Sequence, residues 1–117
     1  MENVEQATTD ALLGRYAEAA HRHGEATADG RRSANADADE IAAIYRELRG
    51  RNKQRVLLTL LDSQDAGVRA WAGTHALEFA PEEGEPVLAR LAETDGLIAF
   101  GAQISLREWR AGRLRFP

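Results

Sequence analysis

Trp71, His75 and Glu78 recur at one-turn spacing in LLDSQDAGVRAWAGTHALEF, residues 60–79. A helix would put the three on one face, where His75 could act as a general base oriented by Glu78 beside the Trp71 ring. Two other groupings have the residue types for metal chemistry. His21 and His23 form an H-x-H pair, but on a helix they diverge by about 200°, so only a strand would let them share an ion. Asn35, Asp37 and Asp39 imitate the start of a calcium loop. The imitation fails at Glu40, where the loop needs glycine, and at Arg46, where it needs a bidentate glutamate. Asp37 and Asp39 read instead as helix caps. No phosphate-binding loop, nucleophile elbow or H-E-x-x-H motif is present. The expectation is a chain with no catalytic residue, no metal and no cofactor.

The elements that position these residues are constrained by composition. A length of 117 residues, 44% hydrophobic with few aromatics and 29% charged, suits one domain of packed helices over 1–117. The absence of cysteine excludes disulfides and thiolate metal sites. The start MENVEQATTDALL lacks the basic and apolar regions of a signal peptide, and no apolar run approaches a bilayer span, so a soluble cytoplasmic protein without membrane association is expected. A net charge of -4 disfavours binding to nucleic acid. Near the end, Arg107, Arg110, Arg113 and Arg115 face only Glu108. They either complement a helix C-terminus or form a basic edge for an acidic partner.

Helical periodicity divides the chain into about six helices. The first spans Val4 to Gly24. The polar stretch EATADGRRSANADAD reads as a connection, so that 1–36 holds one helix and its linker. A second helix runs from Asp37 or Asp39 to Arg49, with Ile41, Ile44, Tyr45 and Leu48 inward, and stops at Gly50. A third covers Arg51 to Leu61. A fourth, capped by Asp65, ends near Phe79. Pro86 would remove a hydrogen bond from a running helix, which predicts a turn at Pro81–Gly84 and a helix from Glu85 to Glu93. The last helix starts beyond Gly96 and ends near Arg110, leaving 111–117 as a tail.

Laid against itself, the chain repeats. Leu88 falls under Leu58, Leu91 under Leu61 and Asp95 under Asp65; one residue fewer in the turn then brings Leu97 under Val68, Phe100 under Trp71 and Leu106 under Leu77. The same step backwards from Leu77 reaches Leu48, and Ala43, Ala72 and Gly101 fall on one line of small residues. This describes hairpins of about thirty residues, a leucine-rich helix A followed by a helix B with small residues, stacked over 37–110. The pattern Leu-Leu, Asp65, Val68-Arg69, Ala72, Ala76-Leu77 resembles a HEAT repeat. SANADADEIAAIYREL, VRAWAGTHALEFAP and LREWRAGRLRFP together are similar to the small bacterial domain-of-unknown-function family twenty-nineteen. The resemblance implies a compact HEAT-like fold, a short right-handed α-solenoid, and supplies no activity or catalytic residue. Gly73 and Gly84 depart from it, since alanine would be usual there.

The repeat reinterprets the opening residues. One hairpin later the Trp71, His75 and Glu78 positions carry Phe100, Ile104 and Arg107, and one hairpin earlier Ala42, Arg46 and Arg49. A recurring face is a contact surface more readily than a catalytic centre. The leading expectation is therefore a non-enzymatic protein that binds another protein through the B-helix face. Its candidate residues are Tyr45, Arg46, Arg49, Trp71, Thr74, His75, Glu78, Gln103, Arg107 and Arg110. Such a small acidic domain would suit an immunity protein or antitoxin meeting a cationic toxin through Asp37, Asp39, Glu82, Glu83 and Glu85. The alternatives are a HEAT-like enzyme of DNA-glycosylase type, with Trp71 stacking a base near Glu78, and a self-associating scaffold. The sequence does not specify the oligomeric state.

Overall fold

A computed structural model describes residues 3–29 and 33–117. It is all-helical, with six helices and no strand among the described residues. These are α1 (Thr9–Asp29), α2 (Ser33–Gly50), a 3-10 helix (Gln54–Asp62), α3 (Ala66–Phe79), α4 (Pro81–Ala92) and α5 (Leu97–Arg110).

α1 begins later and runs further than periodicity suggests. Thr8 caps it by accepting from the Ala11 N–H at 3.0 Å. Leu12, Tyr16, Ala19 and Ala20 form its buried face. The polar stretch that reads as a connection is mostly helical; its residues 30–32 lie outside the described residues. Ion pairs across the α1/α2 hairpin replace the missing apolar face. Arg22 reaches Asp37 and Glu40, each at 3.1 Å, and Arg15 reaches Glu40 at 3.0 Å. Asp37 is thus inside α2 and mostly buried, not a cap, because α2 has already started at Ser33. His21 and His23 lie on α1, where they engage different partners as their angular separation requires.

After α2 the chain turns sharply at Asn52, which takes the left-handed conformation (φ 58°) that asparagine tolerates. The third helix is 3-10, a tighter coil that still buries Leu57. Asp65 caps α3 as its position predicts, accepting from the Val68 N–H at 2.9 Å. Pro81 starts α4 directly, so the predicted turn at Pro81–Gly84 does not form. Pro81 suits the first helical position. Pro86 forfeits one backbone bond, the one to the carbonyl of Glu82, and both residues are exposed, so water can satisfy that oxygen. The tail is docked: Phe116 packs against both clusters of buried side chains, and Leu114 joins the cluster of Leu77, Leu88, Leu91 and Leu106.

α3 is the middle of the molecule, packed against α1, the 3-10 helix, α4 and α5. The helix lying along α3 is α1, not α2 as the repeat register predicts; α2 reaches it through the side chains of Tyr45 and Arg49. α5 packs on α3 and α4 and has no further helix beyond it among the described residues. Two close approaches set the spacing around α3. Gly67 lies against the carbonyl of Ala20, and Gly84 against the carbonyl of Gly73.

Candidate functional site

His75, expected on the contact face, is buried, with 2% of its surface accessible, and Tyr45, a contact candidate on the inward side of its helix, is buried as well. The reason is α1. It covers the side of α3 that the repeat leaves open, and Tyr16 approaches the His75 Nδ1 at 2.6 Å. The Tyr45 ring stacks on the imidazole with centroids 4.0 Å apart. Burial, together with the nearby Arg49 charge, pushes the His75 pKa down to about 3, so the ring is neutral. Burial likewise raises the Tyr16 hydroxyl, which stays protonated and shares a hydrogen bond with Nδ1. This histidine is enclosed and already hydrogen-bonded at Nδ1, which is not the arrangement of a general base open to substrate.

Glu78 does not orient it. The carboxylate accepts from the Tyr45 hydroxyl and from Arg49, the latter at 2.9 Å. Arg49 also donates to the Pro117 carbonyl and lies over the Tyr45 ring, 5.2 Å from its centroid. Tyr45, Arg49, His75 and Glu78 therefore tie α1, α2, α3 and the tail together. Arg46 is exposed on α2, apart from this network.

The remaining candidates divide between two places. Trp71 and Thr74 line a groove of about 180 Å³ between α1, α3 and α5, with His23, Gly24, Ile98, Gly101 and Ser105 among its other walls. The Trp71 indole N–H donates to the His23 Nδ1 at 3.3 Å, the rings meeting edge to face at 87°. Burial lowers the His23 pKa, against the opposing charge of Asp37. No charged side chain lines the groove among the described residues. Gln103, Arg107 and Arg110 lie on the outer side of α5, near the end of α4. Gln103 donates to the Ala92 carbonyl at 2.8 Å, and Arg110 pairs with Glu85 at 3.1 Å.

The sequence reading did not single out the apolar part of that outer side. Leu97 and Phe100 are each 55% exposed, whereas the equivalents in α3, Val68 and Trp71, are covered or half-covered. Their available signal was position: among the described residues no helix after α5 packs over them. Leu97, Phe100, Gln103, Arg107 and Arg110 follow one another at three- or four-residue steps and so form one continuous strip.

Outside the groove lining, His21 pairs with Asp65 and, at 3.1 Å, with Glu25. The hydrogen bond to Asp65 is the main cause that raises the His21 pKa. Burial raises the Asp65 carboxyl, but the bonds from His21 and the Val68 N–H outweigh it and leave the group below its ordinary value. Asp65→Ala is expected to lose about 1 kcal/mol with the cap. It should also return the His21 titration to the ordinary range, read by NMR; an unmoved titration would show that Asp65 does not set it. The His21 contribution to stability is present below its ordinary pKa and fades as pH rises through the raised one.

No protein-family profile matches the chain, and no curated protein is significantly similar to it. Among solved structures it is similar to the protein RPA1889 from Rhodopseudomonas palustris CGA009, with a TM-score of 0.90 and 22% identity over 100% of both chains. At that identity the likeness establishes a shared fold and nothing about activity.

Proposed function

We propose that the chain is a short right-handed α-solenoid of HEAT-like hairpins, of the domain-of-unknown-function family twenty-nineteen, that binds another protein and catalyses nothing. The packing supports two rows, α1, α3 and α5 in one and α2, the 3-10 helix and α4 in the other. The observation that carries the functional reading is the uncovered strip of α5. Two large apolar side chains, Leu97 and Phe100, stand more than half exposed and lead into Gln103, Arg107 and Arg110. An aromatic anchor beside arginines is the composition of a binding hot spot. The matching partner surface is an apolar pocket with an acidic rim.

The face is narrower than the one read from sequence. Tyr45 and His75 serve the interior, and Arg49 and Glu78 serve each other and the tail. The four arginines that a nucleic-acid enzyme would use do not converge, since Arg46 lies on α2, Arg49 is held by Glu78, and Arg107 and Arg110 lie on α5. An immunity protein or antitoxin is the specific role we propose for the domain. A cationic toxin has less support as its target than the acidic sequence suggests, because Asp37 pairs with Arg22 and Glu85 with Arg110.

The test is recovery of a partner from the native host by tagged chains, each checked for folding by circular dichroism. Phe100→Glu and Arg107→Glu are expected to reduce recovery at least tenfold, as loss of a hot spot worth about 2 kcal/mol would do. Arg46→Glu should leave it unchanged. Full recovery by both α5 variants would overturn this face. Light scattering of the wild-type chain reads self-association separately.

A further inference from the structure

We propose that the groove between α1, α3 and α5 binds a small, uncharged, planar aromatic molecule of one or two rings carrying one hydrogen-bonding group. This goes beyond the protein-binding reading, which rests on the strip of α5 from Phe100 to Arg110; Leu97, at the head of that strip, also borders the groove. The size argument comes first. At about 180 Å³ the groove is smaller than the pockets that take drug-sized ligands. It is comparable with the roughly 150 Å³ apolar cavity that admits benzene in an engineered protein. The lining then fixes the chemistry. It offers carbon from Ala70, Ile98 and Ala102 and the Trp71 ring, and among the described residues no ion to pair a charged ligand, which would have to shed its water uncompensated. Burial lowers the His23 pKa, and its Nδ1 already accepts from the Trp71 indole N–H.

A polar handle is present. The Thr74 and Ser105 hydroxyls face each other in the wall at 3.5 Å, a loose separation for two hydroxyls. Either can rotate to donate to or accept from a phenol, indole or amide edge. Trp71 supplies an aromatic surface on which a planar ring packs offset or edge-on.

Gly101 provides the independent observation. It lies in the middle of α5, where glycine costs a helix about 1 kcal/mol relative to alanine. Packing does not require it, because a Cβ there would meet nothing within 4 Å. Gly67, which also lines the groove, is explained by the Ala20 carbonyl, only 2.9 Å from where its Cβ would be. Gly14 also has open space, but on a part of α1 outside the groove. Gly101 borders the groove and is itself exposed, so a long side chain there would stand at the groove's rim.

The experiment is titration of the isotopically labelled chain with indole, followed by amide NMR, in the wild type and in Gly101→Leu. The expected result is saturable shifts centred on Thr74, Gly101 and Ser105 with a dissociation constant on the order of a millimolar or tighter. Gly101→Leu should weaken binding at least tenfold while keeping the wild-type melting temperature or exceeding it. Benzoate, of similar size but anionic, should bind at least tenfold more weakly than indole. The proposal is overturned if indole gives no saturable shift up to its solubility limit, if Gly101→Leu binds it as well as the wild type, or if benzoate binds equally.

Discussion

Acidification from pH 7.5 to 5 is expected to cost the fold about 2 kcal/mol through His75 alone, at about 1.4 kcal/mol for each unit below the ordinary histidine value. The sign follows from where the proton binds. In the folded chain the buried imidazole has its pKa pushed down to about 3 and stays neutral, while the unfolded chain takes up the proton near 6.5. Stability is therefore complete above 6.5 and drains as pH falls toward 3. His23, lowered by burial, acts in the same direction, whereas His21, raised chiefly by Asp65, acts in the opposite one. Below pH 5 the carboxylates add their own loss, since Asp65 and Glu108 are both held below their ordinary values. The window from 7.5 to 5 isolates the histidines, and His75→Phe isolates His75 among them. Urea unfolding across that window should show the slope in the wild type and most of it gone in the variant. At pH 7.5 the variant should itself be less stable by about 1–3 kcal/mol, because the Tyr16 hydroxyl is left buried without its hydrogen-bond partner. Adding Tyr16→Phe removes the orphaned group and should recover part of that loss. A slope unchanged in His75→Phe would mean that another group carries the acid sensitivity.

The buried histidine also marks where sequence reasoning stopped. Periodicity reads one helix at a time, and it placed Asp65 at the cap, Val68, Ala72 and Leu77 in the core and the leucines of α4 correctly. It could not say which other helix lies along α3, because the contact that decides it joins Tyr16 to His75 across 59 residues. A local signal was nonetheless present. α3 buries Gly67, Val68, Ala72, Gly73, His75, Ala76 and Leu77, which point to nearly every side of the helix. A helix that is small or apolar all round has neighbours all round. On that reading the stripe of Trp71, His75 and Glu78 cannot be a wholly open face. The extension of α1 and α2 into the polar stretch was illegible for a different reason: ion pairs from Arg15 and Arg22 support it where periodicity searches for apolar residues. The strip containing Leu97 and Phe100 was half visible, as the repeat register identified Phe100 with Trp71 but carried no information about which of the two remains uncovered.

Gly84→Ala is expected to destabilise the chain by about 3 kcal/mol, although alanine is the better helix former and the family resemblance favours it at this position. A Cβ at 84 would lie 2.6 Å from the Gly73 carbonyl oxygen, 2.9 Å from the Ala76 Cβ and 3.2 Å from the Leu77 nitrogen. These atoms are backbone or the first carbon of a side chain, so no rotamer change relieves the contact. α3 and α4 would have to move apart, loosening the packing of Leu77, Leu88 and Leu91 in the cluster they share. The two glycines that interrupt the repeat pattern thus explain each other: Gly84 is small because Gly73 presents its carbonyl there. Gly73→Ala is the milder change, since its Cβ would meet the Leu88 side chain at 3.2 Å, and a leucine can shift. Gly67→Ala should resemble Gly84→Ala, with the Ala20 carbonyl at 2.9 Å as the obstacle. The opposite sign is expected at Gly101, where the same substitution meets open space and should stabilise by about 0.5–1 kcal/mol. Denaturant midpoints for the four variants test the whole order. Equal effects at 84 and 101 would show that helix propensity, and not the approach of α3 to α4, governs these positions.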